Sequence, residues 1–290
     1  MPIAPRHEWL ATLEDADVAA LKARCSTVIE GAEDCAQYNR DWMNKWEGRA
    51  RVVAQPATTA EVSAILKYCD ARRLAVTTQG GKTGLVGGSV PVHDEVILST
   101  TRLNAIDGLD EDTGVVTCGA GVVLDALDAH LRDRSFVAPL DLGASGTCTV
   151  GGNLATNAGG VRFVRHGSLR GACAGLEFVQ ADGTVVDCTS SLRKDNTGYA
   201  LPQLLIGSEG TLGVITRCAL ACPALAPHVH VAWLACRSFE EVRRVLTVAR
   251  AELGEILSAV EFLDGGALDA TTRAHQAVAD PLECDAPFRV

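Results

Sequence analysis

No stretch of this sequence reaches 18 consecutive apolar residues, so no segment has the length and apolarity of a membrane-spanning helix. Nor is there a cationic excess. Lys and Arg total 26 against 36 Asp and Glu, a net charge of −10. That argues against nucleic acid as a partner, because binding it requires a basic face that displaces counterions. Aromatic residues make up only 4%, and no Cys-x-x-Cys pair occurs among the eleven cysteines. An odd number at irregular spacing argues against a disulfide framework and for buried free thiols in a reducing compartment. Cys218 and Cys222 are close, but no histidine pair joins them to complete a zinc site. Met1 to Leu13 has neither the apolar core of a signal peptide nor an Arg- and Ser-rich transit segment. The chain is therefore expected to be untargeted, or to begin at a mature or altered position.

Missing motifs narrow the chemistry further. Gly119-x-Gly121 lacks the third glycine of the dinucleotide fingerprint, since Leu124 stands in its place. Gly207-Ser208-Glu209-Gly210 is not followed by Gly-Lys-Ser/Thr, so it is no Walker A loop. There is no Gly-x-Ser-x-Gly elbow, and no paired acid with an evident general-base partner.

Two glycine-rich blocks stand out against these absences. Residues 79–89 hold five glycines, and residues 139–160 hold six among small and short polar neighbours. Neither can form a packed strand or a long helix, because glycine costs backbone entropy and offers nothing to pack. Both allow backbone N–H groups to approach a ligand closely, which fits an elongated, phosphate-bearing cofactor held at several points. Arg162, Arg165 and Arg170 lie in or just after the second block with no nearby acid. They either draw an anionic cofactor or are solvated surface residues.

At 290 residues and 47% hydrophobic, the chain can bury one large core or two smaller ones. Apolar spacing predicts a helix over 8–24 within an N-terminal arm, then an irregular Trp-containing segment over 38–48. Thr58 to Glu61 reads as a capping box opening a helix with Val62, Ile65, Leu66 and Cys69 on one face. Strands are expected near 74–78, 96–99, 115–118 and 212–220, with a helix over 122–134. Asp182-Gly183 signals a hairpin between strands near 176–180 and 184–188. Pro223 and Pro227 mark a boundary before a further run. There strands are expected at 229–236 and 256–263, helices at 239–253 and 267–279, and another strand starting at 287. Ala232, Leu234, Ile256 and Val260 are expected on a sheet with an unpaired edge. An ending at the start of a strand makes the chain read as C-terminally truncated.

The series from Thr78 to Val92, Pro139 to Gly160, Arg193 to Tyr199 and Ile206 to Thr216 resembles the vanillyl-alcohol-oxidase-like FAD-binding oxidoreductases. The likeness covers about residues 38–290 and is most specific over 78–216. It implies an α+β fold, with a two-subdomain FAD-binding domain followed by an incomplete α+β cap domain. The expected boundaries are an arm over 1–45, the FAD-binding domain over 46–225 and the start of the cap over 226–290. By resemblance Gln79, Gly80, Gly81, Lys82, Thr83 and Gly84 wrap the pyrophosphate. Gly146, Gly151, Gly152, Asn153, Thr156, Asn157 and Gly160 line the ribityl chain and flavin ring, and Gly210 and Ile215 close over it. Some relatives attach FAD through a histidine in the first loop. None occurs between Thr78 and Ser89, so non-covalent binding is expected.

Lys82 departs from a frequent Asn and either touches the pyrophosphate or points to solvent. His166 replaces a frequent Tyr and lies near the ring or serves structure. The resemblance further implies FAD-dependent oxidation of a D-2-hydroxy acid, with D-2-hydroxyglutarate foremost and D-lactate or glycolate as same-fold alternatives. A catalytically silent FAD-binding fragment is the reading of a different class. The implied electron acceptor is a protein such as an electron-transfer flavoprotein. The implied location is the mitochondrial matrix in a eukaryote and otherwise the cytoplasm. A His-Gly-Asp-Gly-Asn-x-His motif that serves metal, substrate and catalysis in relatives is absent. Catalytic residues are therefore unassigned, no metal ligand is expected here, and a divalent metal is expected only in a missing C-terminal part.

Overall fold

The computed structural model describes residues 5–275, 277–282 and 284–290. Its first sheet has the order β1-β2-β4-β3, formed by β1 (Val28–Glu30), β2 (Val52–Ala54), β3 (Val76–Gln79) and β4 (Val96–Ser99). β1 runs antiparallel to β2, while β4 is parallel to both β2 and β3. The helix Thr59–Arg72 crosses from β2 to β3 and buries Val62, Ile65, Leu66 and Cys69. Thr58 caps it through Oγ1, which accepts from the Glu61 N–H. The Glu61 carboxylate takes the Ala57 and Ser26 N–H groups, one position away from the predicted reciprocal box. Arg73, in the left-handed region at φ 58°, ends the helix.

The N-terminal segment is not a separate helical arm. Its helix is confined to Asp15–Lys22, and β1 completes the first sheet. Leu13, Val18 and Leu21 pack into the same core as Ile65 and Leu98. Burying each large aliphatic side chain contributes about 1.5–3 kcal/mol, so these residues are part of the first subdomain's stability.

The second sheet, β5-β6-β9-β7-β8, is wholly antiparallel. Its strands are β5 (Ile106–Asp110), β6 (Val115–Gly119), β7 (Cys173–Val179), β8 (Val185–Asp187) and β9 (Val214–Ala221). The β7–β8 hairpin turns at Asp182-Gly183 as expected, with Gly183 at φ 85°. The amphipathic helix Leu124–Arg132 buries Leu124, Leu127 and Leu131 in a core shared with Val116, Leu176 and Leu220. Val179 and Val214 from this sheet join the first core, so the two subdomains are packed together. Glu177 on β7 also accepts from Thr59 Oγ1 and Thr216 Oγ1, each at 2.6 Å.

Beyond Pro227 the expected long strands shrink. β10 is Ala235–Cys236, β11 is Leu263–Asp264 and β12 is Phe288–Arg289, with β12 between the other two. Ala232, Leu234, Ile256 and Val260 therefore lie outside the strands of this short sheet, although Leu234 and Val290 exchange backbone hydrogen bonds at its end. A strand exists only as far as a partner pairs with it, and β12 offers two residues plus Val290, whose N–H reaches the Leu234 carbonyl. The helix Phe239–Leu253 covers this small sheet, and Phe239 packs its ring on Phe262 and Phe288.

All eleven cysteines are free. Cys118 and Cys218 face each other across β6 and β9 with sulfurs 3.6 Å apart, as buried thiols.

Candidate cofactor-binding cavity

The chain leaves β3 at Gln79 and enters the first glycine loop, residues 80–89. Among the described residues, none of the backbone N–H groups of 81–89 donates to another group of the chain. None of these residues is buried, so their N–H groups are free to donate to solvent or to an anion. The loop's glycines do different work. A Cβ on Gly81 would collide with the Thr147 carbonyl, so Gly81 lets the two glycine blocks touch. A Cβ on Gly84 would meet nothing within 4 Å of the protein. Its missing side chain instead leaves room for whatever approaches the amides.

The second block supplies a wall. Thr149 caps the short helix Val150–Thr156, its Oγ1 accepting from the Gly152 N–H at 3.4 Å, and Asn157 ends it at φ 47°. Ala144, Gly151, Gly152, Ala155, Ala158 and Gly159 present a face with no bulky side chain to the cavity. Glu209, Gly210, Gly213 and Ile215 close the third side. The enclosed space is about 520 Å³.

Eleven of the expected residues share this cavity: Gly80, Gly81, Lys82, Thr83, Gly84, Gly151, Gly152, Asn153, Thr156, Gly210 and Ile215. Gln79, Gly146, Asn157 and Gly160 do not line it. Gln79 is buried, and its Nε2 donates to the Tyr38 and Ser89 carbonyls, both at 2.7 Å, which pins the two ends of the loop. Asn157 Oδ1 accepts from the Arg170 N–H at 3.1 Å, and Gly160 packs against the Asp141 carbonyl. Gly146 sits on an exposed turn beside Asp125. Gln79 and Asn157 tie neighbouring segments together through these bonds.

Lys82 takes neither of its expected courses. Its Nζ donates to the Gln37 carbonyl and lies 5.6 Å from the centroid of the Tyr38 ring, and burial pushes its pKa down. Its backbone is left-handed at φ 54°, a conformation that Asn tolerates well, which accounts for Asn at this place in the resembled family.

Two of the three arginines are structural staples. Arg162 donates to the Ala138 carbonyl at 2.6 Å and to Asp128 at 3.0 Å, and Arg170 to the carbonyls of Gln203 and Ile206. His166 does not line the cavity. Burial, with help from Arg165 and Arg162, lowers its pKa and favours the neutral ring.

Glu209, Thr149 and Ala120 line the cavity without having been singled out. Glu209 and Thr149 lay inside the quoted motifs, where glycines drew attention away from them. Ala120 sat in a turn set aside for failing the dinucleotide pattern. A larger and more open concavity, about 870 Å³, lies beyond Lys82 among residues 32–51. Most of its charges are engaged: Arg40 pairs with Glu47, Arg51 with Asp15, and Asp41 accepts from the Trp46 N–H. Among the described residues no group of three or more His, Cys, Asp or Glu is placed to hold a metal, and no helix is long and apolar enough to cross a membrane.

The chain is similar to known proteins. Residues 50–189 match the family model of the FAD binding domain. The chain is 50% identical over 281 residues to D-2-hydroxyglutarate dehydrogenase, mitochondrial, of Bos taurus, covering 97% of this chain and 51% of that protein. It is 52% identical over 253 residues to the Danio rerio protein of the same name, covering 87% of this chain and 47% of that one. The chain thus spans about half the length of the curated relatives it matches. Among solved structures, alkyldihydroxyacetonephosphate synthase superposes with a TM-score of 0.77 at 18% identity, covering 92% of this chain and 50% of that one. That likeness bears out the expected FAD-binding fold. The chain is thus similar to the FAD binding domain through residues 50–189, and relatives it matches include proteins named D-2-hydroxyglutarate dehydrogenase.

Proposed function

We propose that this chain holds FAD non-covalently in the 520 Å³ cavity. There it would form the cofactor side of a dehydrogenase that oxidises D-2-hydroxyglutarate to 2-oxoglutarate. The observation that carries the reading is the row of unpaired amides at 81–89 facing a wall of small residues. A pyrophosphate needs several donors at once, and each charge-assisted bond is worth roughly 1.5–3 kcal/mol. The small-residue wall at 144–159 lets a flat ring system lie close to backbone. No histidine or cysteine of the first loop is available for a covalent link.

When bound, FAD supplies the hydride acceptor for C2 of the hydroxy acid. The residues of this chain bind and orient it. Gln79, Arg162 and Arg170 keep the loops in register, and Ala144 to Gly159 exclude water from one face. The groups that would grip the substrate carboxylates and move the hydroxyl proton are not assigned here, and the remaining length of the relatives is where we expect them. A protein acceptor such as an electron-transfer flavoprotein, and a mitochondrial setting like that in the relatives' names, belong to the same proposal.

The test compares the FAD-loaded chain with a protein completed to the relatives' length, each given D-2-hydroxyglutarate, D-lactate or glycolate without oxygen. Bleaching of the flavin band in the completed protein, fastest with D-2-hydroxyglutarate, supports the reading. Faster bleaching with D-lactate transfers it to that substrate. The second reading, a silent flavin-binding fragment, is favoured by the half-length match. Substrate-dependent bleaching by this chain alone would reject it.

A further inference from the structure

Cys118 on β6 and Cys218 on β9 stand directly opposite each other in the antiparallel ladder, and both are fully buried. Their sulfurs are 3.6 Å apart, in contact as two thiols. The ladder fixes what kind of pair this is. The Ala120 N–H donates to the Thr216 carbonyl at 2.9 Å, two residues along. The Cys222 N–H donates to the Gly114 carbonyl at 2.7 Å, four residues the other way. Hydrogen-bonded positions alternate in such a ladder, so Cys118 and Cys218 occupy one, with Cα atoms about 5.5 Å apart. Disulfides span Cα separations of roughly 4.4–6.8 Å. The backbone therefore already has the spacing a disulfide needs, and only the side chains must turn. Neighbouring thiols are placed differently. Cys173 Sγ donates to the Gly175 carbonyl and Cys222 Sγ to the Leu220 carbonyl, each at 3.5 Å.

We propose that Cys118 and Cys218 are an oxidisable pair, which hydrogen peroxide converts into a disulfide that locks β6 to β9. One thiol, as its thiolate, attacks the peroxide. An S–O bond forms, the O–O bond breaks, and the departing hydroxide takes up the thiol's proton to become water. The other thiol then attacks the sulfenic acid, an S–S bond replaces the S–O bond, and a second water leaves. Two thiols thus lose two electrons and two hydrogens, and one peroxide is reduced to two waters. The Cys118 thiol beside it, together with burial, pushes the Cys218 thiol well up and keeps its thiolate scarce. The first step is therefore slow, and the pair answers sustained oxidation, not a brief pulse. The second step is quick by comparison, because the resolving sulfur is already in place. The bond would join positions 100 residues apart, which restricts the unfolded chain. It would also tie together the strands next to Ala120 and Ile215, both in the cavity wall. None of this depends on which cofactor the cavity holds.

The experiment uses the intact chain with the exposed thiol removed by Cys284→Ser, so that this thiol cannot link two copies. The folded protein is kept overnight in millimolar hydrogen peroxide, quenched with catalase, unfolded, alkylated and mapped by mass spectrometry. The expected product is lighter by two hydrogens, with the peptides of Cys118 and Cys218 joined until reductant is added. It should also unfold at a higher temperature than the thiol form. The same treatment in urea should spread the pairing over other cysteines. Recovery of both thiols in alkylated form would overturn the proposal, as would their pairing mainly with other cysteines or their gain of oxygen instead of a link. A linked form that melts no higher than the thiol form would overturn the fit read from the strand spacing. An equal yield of the link from the urea-unfolded chain would also overturn it, because the fold would then not direct the bond.

Discussion

Gly81 lies so close to Thr147 that any Cβ on it would run into the Thr147 carbonyl, while Gly84, three residues further on, faces open space. The two glycines must therefore fail differently. Gly84→Val should leave the ligand-free unfolding temperature near wild type and abolish FAD retention, because the branch fills the space over the amides. Gly81→Val should lose FAD and also about 1–3 kcal/mol of stability, since overpacking drives the two loops apart. Differential scanning of both ligand-free variants reads the distinction. A Gly84→Val protein as destabilised as Gly81→Val would mean that the first loop is packed, not open.

Lys82→Asn should be mild. The exchange loses one bond to the Gln37 carbonyl, worth about 0.5–1.5 kcal/mol, and gains a residue at ease in the left-handed region. FAD affinity is expected to stay within about threefold of wild type, since neutral hydrogen bonds contribute little net energy. A hundredfold loss would show that the ammonium reaches the cofactor.

Stability should fall in acid partly through Asp17. Arg72, held at 2.8 Å, with Tyr68 at 2.7 Å, brings the Asp17 pKa down to about 2. Because the folded value lies below the ordinary carboxylate value near 3.9, the contribution is complete above about pH 4 and is lost as pH falls through about 2. Asp17→Asn should cost about 1–2 kcal/mol at neutral pH, a figure reduced for the solvent around the partly exposed Arg72, and nearly nothing at the acid end. Urea melts across that range decide the matter. A penalty that does not change with pH would place the effect in packing.

The thiols divide by burial. Cys284 is exposed and Cys173 and Cys188 are partly covered, whereas Cys69 and Cys222 are buried and pushed up to about 12. A thiol reagent should label Cys284 first in the native protein and reach Cys69, Cys118, Cys218 and Cys222 only after unfolding. Rapid native labelling of Cys218 would contradict the packing of the second sheet.

Local periodicity made the helix at 59–72, the Leu124 face and the Asp182-Gly183 hairpin legible, because each buries a regular stripe or uses a turn with its own chemistry. The strands after Pro227 were overread. Val229 to Cys236 has the composition of a strand, but pairing depends on β12, far along the chain and only two residues long. The same division runs through the cavity. Glycine content revealed both loops, while the side-chain bonds of Gln79 were not legible because its partners, the Tyr38 and Ser89 carbonyls, are set by tertiary structure. The roles of Arg162 and Arg170 were hidden for the same reason, since their acceptors, backbone carbonyls and for Arg162 also Asp128, are announced by no motif. Glu209 was hidden by conformation, because a left-handed Glu cannot be read from its neighbours.

The central claim is that the amides of 81–89 and the wall of 144–159 hold FAD without a covalent bond. The most direct measurement is the flavin content of the purified chain after incubation with FAD and gel filtration, followed by acid precipitation. The account predicts about one flavin per chain, released entirely into the supernatant by acid, and none on a folded Gly84→Val protein. Folded wild-type chain that emerges colourless, or flavin that stays with the precipitate, would contradict it.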